Sequence, residues 1–230
     1  MKSYSFLLLG FIIILSCSGD DDQNSNPENL SYEFDFTTGT EGWLGDFADY
    51  PAGEHEFYEL EFGHAFLPEP LDNLEGALKL SGNNHSDDLF MFVKKEITGL
   101  IPNREYNLNF NIEIASDVAN GSIGIGGSPG ESVYIKAGAT PYDPQKSIDE
   151  MGWYRLNIDK GNQAQGGEDM IVLGNFANGT EENEYTLKTL SNSSPLRVKA
   201  GNEGRLWLLI GTDSGFEGKT TIYINKINVN

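Results

Sequence analysis

Residues 106–114 alternate without exception. Tyr106, Leu108, Phe110, Ile112 and Ile114 are apolar, and Asn107, Asn109, Asn111 and Glu113 are polar. A period of two over this length predicts a strand with one face on a core and the other in water, a pattern that no helix can use. Tyr58–Phe62 repeats the alternation with Glu59 and Glu61 outward, whereas Leu89–Val93 and Leu206–Ile210 are unbroken apolar runs. Such runs predict central strands covered on both faces, and Trp207 is thereby assigned to the core. Near the end of the chain Ile222 and Ile224 share a phase that Ile227 and Val229 do not. A bulge near Asn225-Lys226 is therefore expected, to restore the inward face.

Further strands are predicted over 32–36, 77–80, 133–137, 154–158, 170–173, 185–190 and 197–199. Gly, Asn, Asp and Pro separate them, and 27 glycines leave no stretch with a convincing helical period. Roughly a dozen short strands of this spacing predict an all-β fold, a two-sheet antiparallel jelly-roll β-sandwich over residues 30–230 with helix nearly absent. Internal repeats are not visible, which argues against a propeller or solenoid.

The first 16 residues read differently. Lys2 is followed by the apolar run Phe6–Leu15, about half the ~20 residues that a spanning helix needs. Leu15-Ser16-Cys17 then reads as a lipobox, and Cys17 is the only cysteine. The expectation is a lipoprotein signal peptide over 1–16, lipidation at Cys17, and a polar, acidic tether over 17–29 that lacks the apolar surface needed to order itself. An ordinary secretory signal ending near a cysteine is the alternative. Ser18-Gly19-Asp20-Asp21-Asp22 resembles the acidic export tag of surface lipoproteins in the Bacteroidetes, which implies an outer-membrane anchor with the domain facing outward.

Lys and Arg number 15 against 35 Asp and Glu, a net charge of −20. That balance argues against nucleic acid, whose phosphates need cationic partners. It argues equally against electrostatic docking to anionic lipid, leaving the acyl anchor as the membrane contact. With Cys17 acylated no thiol remains for a disulfide or a thiolate metal site.

Three segments, in order, resemble jelly-roll carbohydrate-binding modules. They are the opening Phe34–Trp43 with its Gly42-Trp43 step, Ile97–Phe110 with Leu-x-Pro followed by Tyr-x-Leu-x-Phe, and the closing Tyr223–Val229. In the last, Asn225-Lys226 stands where that family more often carries Asp-Asp or Asp-Asn. The resemblance implies a sandwich fold and binding of an extracellular glycan.

Four polar loops look more particular than connectors: 82–88, 126–132, 159–167 and 211–218. Turn chemistry explains many of their Gly, Asn and Asp residues. The functional reading is that they converge at one end of the sandwich and present amides, carboxylates and hydroxyls to a ligand. Asn83, Asn84 and Gln163 are then the candidate hydroxyl partners. Trp43, Tyr50 and Trp153 are candidate stacking platforms, since sugar C–H faces pack on aromatic rings; capping of the core is the competing role. The loop 141–152 is long enough for a lid or one short helix. Asp87, Asp88, Asp213 and Glu217 are candidate calcium ligands, although no EF-hand spacing is present and solvated acids are the competing reading. Zinc is poorly supported, because His55 and His64 lack a cysteine partner and His64 continues the apolar phase of its strand. Gly126-Gly127-Ser128-Pro129-Gly130 matches G-x-S-x-G, but a strand follows it, so a nucleophile elbow is not expected. Glu131, Asp159 and Asp213 are the candidate acids of a glycan-directed hydrolase. The expected function is non-catalytic binding of an extracellular carbohydrate; a hydrolase and a structural or adhesive surface protein are the alternatives.

Overall fold

The computed structural model describes residues 30–230, and the signal, lipidation and tether assignments on 1–29 lie outside the described residues. Sixteen strands follow in chain order: β1 (Tyr32–Phe34), β2 (Leu44–Ala48), β3 (Tyr50–Pro51), β4 (Glu61–Phe66), β5 (Gly76–Asn83), β6 (Leu89–Ile97), β7 (Glu105–Leu108) and β8 (Phe110–Ser116). Next come β9 (Val133–Thr140), β10 (Lys146–Ile148), β11 (Trp153–Leu156), β12 (Met170–Asn175), β13 (Thr186–Ser191), β14 (Leu196–Lys199), β15 (Leu206–Ser214) and β16 (Lys219–Val229). No helix occurs among the described residues.

One sheet has the order β13-β8-β16-β5-β4, with β1 also on β16; the other is β12-β9-β15-β6-β2. Every pairing within them is antiparallel. The chain passes directly between them at β1–β2, β5–β6, β8–β9, β12–β13 and β15–β16, which is jelly-roll traffic. Strand alternation turns Leu78, Leu80, Ile112, Ile114, Ile222 and Ile224 of the first sheet toward Met91, Val93, Ile135, Leu208 and Ile210 of the second, in one continuous core. Each fully buried Leu or Ile contributes about 1.5–3 kcal/mol.

The expected bulge is present. Register shifts between Ile224 and Lys226, and Ile227 and Val229 return to the core. Asn225, 1% exposed, turns its amide onto the Gly76 carbonyl at 3.1 Å.

Other expectations change. The alternating run 106–114 forms two strands: β7 pairs with β14, and β8 lies between β16 and β13. Asn109 marks the break, exchanging backbone hydrogen bonds with Asn230. Alternation dictates which face is buried and is silent on which strand lies alongside. Tyr58–Phe62 is not one strand, because the chain turns at Glu59 (φ 50°) and β4 starts at Glu61. His64 stands exposed on β4 with its Nε2 2.8 Å from the Phe36 carbonyl. Residues 44–48, between the candidate platforms Trp43 and Tyr50, form β2 on β6.

Segment 141–152 is neither a free lid nor a helix: β10 and β11 form a hairpin, and β3 extends it. This hairpin and the residues after it roof the outer face of the second sheet. Leu156 and Ile158 pack on Phe90, Phe92, Met170 and Leu209 there, in a second apolar cluster. Trp207 shares that outer face and is half-buried with Lys94 Nζ 5.0 Å from its ring, so it does not belong to the inter-sheet core.

Trp43 is 1% exposed and meets Phe34 edge-on at 5.3 Å. Trp43→Ala is expected to cost about 3–5 kcal/mol of stability, the range for an emptied aromatic core site. Denaturant unfolding checks this; a loss below about 1 kcal/mol would remove Trp43 from the core.

Candidate functional site

The four glycine-rich loops do meet at one end of the sandwich. Asn84 is buried, and its amide donates to the carbonyls of Ser214 (3.0 Å) and Phe216 (2.9 Å), joining the β5–β6 turn to the β15–β16 turn. Gln163 donates its side-chain amide to the Asp87 carbonyl (3.0 Å) and its backbone N–H to Asp213 (2.9 Å). Residues 126–132 join through the Gly215 N–H, which donates to the Ser132 carbonyl at 2.9 Å.

A buried ion pair holds this end. Lys136 on β9 and Asp213 on β15 point to the outer face, and both side chains are 0% exposed. The three donors of the Lys136 ammonium are matched by Asp213 Oδ2 (2.8 Å), the Lys160 carbonyl (2.9 Å) and the Gln165 carbonyl (2.9 Å). Loop 159–167 is thereby fastened to the sheet at two carbonyls. Gly161, at φ 69°, makes the turn between them; a Cβ there would stand 2.2 Å from the Gln165 carbonyl oxygen. Burial pushes the Lys136 ammonium down from its ordinary value, against the pull of Asp213.

The charges continue outward in alternating sign. Lys160 Nζ donates to Asp213 Oδ2 (2.9 Å) and stands 3.1 Å from Asp49 Oδ2, above the Phe90 ring. Burial works to lower the Lys160 ammonium, but Asp213 and Asp49 outweigh it and hold it above its usual value. Arg155 on β11 then bridges Asp49 Oδ1 (2.6 Å), Asp88 Oδ2 (3.3 Å) and Asp149 Oδ2 (3.3 Å). Between the roof and the sheet end lies a cleft of about 270 Å³ walled by Asp49, Asp88, Arg155, Asp159, Lys160 and Asn162. Desolvation, helped by the nearby Asp49 charge, pushes the Asp88 carboxyl up to about 6.

An aromatic ledge stands on the turn that supplies Asp88 to the cleft. His85 and Phe57, both exposed, stack at 4.1 Å with planes 23° apart, and the Phe57 carbonyl lies 3.2 Å from His85 Nε2. His85 and Asp88 belong to the same short turn, 84–88, whose Ser86 hydroxyl also reaches the Asp49 carbonyl at 3.5 Å.

The expected site residues are only partly united here. Trp43 and Tyr50 are core residues, 1% and 2% exposed, and offer no ring face to a ligand. Trp153 is half-buried under the Arg155 guanidinium, 5.2 Å from its ring. Asn83 donates to Glu59 (2.8 Å), and Asn84 is consumed by the two turns it joins. Gln163 and Asp88 do reach the cleft region, but Asp87 and Glu217 are exposed loop acids. Asp213 cannot offer calcium its Oδ2, which already accepts from two ammonium groups and a backbone N–H. Among the described residues no group of three or more His, Cys, Asp or Glu is placed to hold a metal ion. Of the proposed acids, Asp159 accepts from the backbone N–H groups of Gly161 and Glu168, both at 3.0 Å, and those bonds hold it below its usual range. Glu131 is bonded to the Gly121 N–H (2.7 Å) and to Ser128. These three carboxylates brace loops. The sequence reading missed Phe57, Asp49, Arg155, Lys160 and Asn162 as site residues, because each gains meaning only from a partner distant in the chain.

No family model matches the chain, and no curated protein matches it. Among solved structures it is similar to a carbohydrate-binding module of the β-sandwich superfamily, with 14% identity, a TM-score of 0.43, and 86% of this chain and 60% of that chain covered. The K1 cleaved adhesin domain of Lys-gingipain from Porphyromonas gingivalis W83 gives 9% identity and a TM-score of 0.39, over 87% of this chain and 98% of that one. The CBM22-1 xylan-binding domain of Paenibacillus barcinonensis Xyn10C gives 10% and 0.38, over 86% and 92%.

Two outcomes test the cluster. Asp213→Ala strands two ammonium groups against a buried face and is expected to cost about 3–5 kcal/mol in denaturant unfolding. Asp88 behaves oppositely. Its folded-state pKa lies above the ordinary 3.8, so between about 4 and 6 the native state binds more protons than the unfolded chain. The stability it contributes therefore falls as pH rises through that window. Asp88→Asn should raise Tm relative to the parent at about pH 7.5 and bring no gain at about pH 4.5. A variant less stable than the parent at the higher pH would show that the Arg155 pairing dominates instead.

Proposed function

We propose that residues 30–230 bind an extracellular carbohydrate without catalysis, at the cleft between the roof hairpin and the turn 84–88. The observation that carries this reading is the Phe57–His85 ledge on the turn that supplies Asp88 to a cleft walled mostly by polar side chains, with Leu156 and Ile158 as its apolar part. A pyranose offers matching chemistry: C–H faces stack on rings, and ring hydroxyls exchange hydrogen bonds with carboxylate, guanidinium and amide groups. Asp88, Arg155 and Asn162 supply those groups, and Lys136 with Asp213 keeps the wall in place. A lipid or other wholly apolar ligand would bury the charged groups of the wall against only Leu156 and Ile158.

The domain is held at the outer membrane, facing outward, by acyl chains on Cys17. This part of the proposal rests on the lipobox and the acidic segment after it.

A glycan array followed by calorimetry tests the ligand class, and silence across polysaccharides would end the carbohydrate reading. Phe57→Ala is expected to weaken binding by ~1–3 kcal/mol, the range for loss of stacking on an aromatic, with Tm nearly unchanged because the ring is exposed. Equal affinity with and without the ring would move the site elsewhere. Labelled palmitate should enter the wild type and not Cys17→Ala; equal labelling would refute the anchor.

A further inference from the structure

The cleft carries acceptors that the protein itself leaves without donors. Asp49 is 4% exposed and lines the cleft, yet its Oδ2 accepts no hydrogen bond. Lys160 Nζ forms an ion pair with it at 3.1 Å without a hydrogen bond, and donates to Asp213. Asp88 Oδ1, in the same wall, is likewise buried and unpartnered. The two carboxylates are close neighbours, since one Arg155 nitrogen contacts both, at 2.6 and 3.3 Å. A buried acceptor left unmet costs about 1–3 kcal/mol, and more when charged.

Charge narrows what can fill the gap. The linked cluster sets Asp49, Asp88, Asp149 and Asp213 against Lys136, Arg155 and Lys160, and Asp159 adds a further acid to the cleft wall. One carboxylate in the cluster therefore has no cation of its own. Desolvation, with the neighbouring Asp49 charge adding to it, pushes the Asp88 carboxyl up to about 6 in the same wall. A sugar hydroxyl can donate to one oxygen but leaves the charge uncompensated, whereas an ammonium supplies both three donors and the missing charge. The overall charge of −20 acts in the same direction at long range, drawing a cationic polymer in and repelling uronate or sulfate.

We infer that the carbohydrate taken by this cleft bears free amino groups, a 2-amino-2-deoxyhexose polymer whose ammonium is received by Asp49 and Asp88 while an adjacent ring lies on the Phe57–His85 ledge. The inference rests on the carbohydrate reading above and names its substrate class.

Calorimetry on the full chain in detergent, near neutral pH and at about 0.15 M salt, would compare three β-1,4 hexamers, of glucosamine, of N-acetylglucosamine and of glucose. The glucosamine hexamer is expected to bind at least ~10-fold more tightly than the other two, which is about 1.4 kcal/mol. Asp88→Asn should abolish that ratio, whereas Glu61→Gln, the same charge change on β4, should keep it. The wild-type comparison stands even if a variant melts early. Equal affinity for the three hexamers, or a ratio that Glu61→Gln lowers as much as Asp88→Asn, overturns the amine inference and leaves the carbohydrate reading in place. Hexalysine binding as tightly as the glucosamine hexamer would overturn it in favour of a cationic peptide. Silence toward every glycan on the array, with a native melt, removes both.

Discussion

The buried pairing of Lys136 with Asp213 is the interaction on which the loop end of this molecule depends. Two adjacent strands of the second sheet each place one charge on the outer face beside the apolar cluster of Phe90, Phe92 and Leu209. Removing two such ions from water is costly, and their attraction offsets the cost only when the remaining donors and lone pairs find partners. The Lys136 ammonium meets this condition with one carboxylate and two backbone carbonyls. The consequences are geometric: loop 159–167 has one position, and Lys160 is delivered to the rim of the cleft. The pair thus converts a flexible glycine-rich loop into a wall.

The roof over the same face follows a similar logic with weaker forces. Leu156 and Ile158 supply the apolar contact, and ion pairs at its margins set its position, including Lys146 with Asp46 (2.5 Å) and Lys94 with Asp143 (2.6 Å). Partly exposed ion pairs add little stability individually, but they choose one placement among several that an apolar patch would tolerate. The cleft exists because the roof stops short of the turn 84–88. Its ledge exists because that turn, tied to β15–β16 by Asn84, holds His85 against Phe57.

Legibility differed between the sheets and the site. The alternation of 106–114 and the phase slip after Ile224 were readable, because a buried face imposes period two whatever the partner strand. The break at Asn109 was not, since it depends on Asn230 at the other end of the chain. Trp43 and Tyr50 sit in a Gly- and Asp-rich stretch with no alternation, and their burial follows from β2 and β3 pairing with β6 and β11. The convergence of the four polar loops was anticipated from composition, but the side chains that line the cleft were mostly others. Asp213, read as a metal ligand or a catalytic acid, is occupied by lysines that nothing near it in sequence announces.

The amino-acid sequence by itself determined the class of fold, the two-faced strands and the turn-rich end, because hydrophobic periodicity and turn propensity act over a few residues. The proposed anchor at Cys17 likewise rests on a short local segment, the apolar run and Leu15-Ser16-Cys17. Tertiary structure decided which carboxylates are neutralised and which are left open. Asp213 and Asp88 look alike in the chain, yet one accepts from Lys136 and Lys160 while the other meets only the Arg155 guanidinium it shares with Asp49 and Asp149. Electrostatic pairing in a low-dielectric interior is set by distances between groups far apart in the chain, and those distances exist only once the sheets have packed.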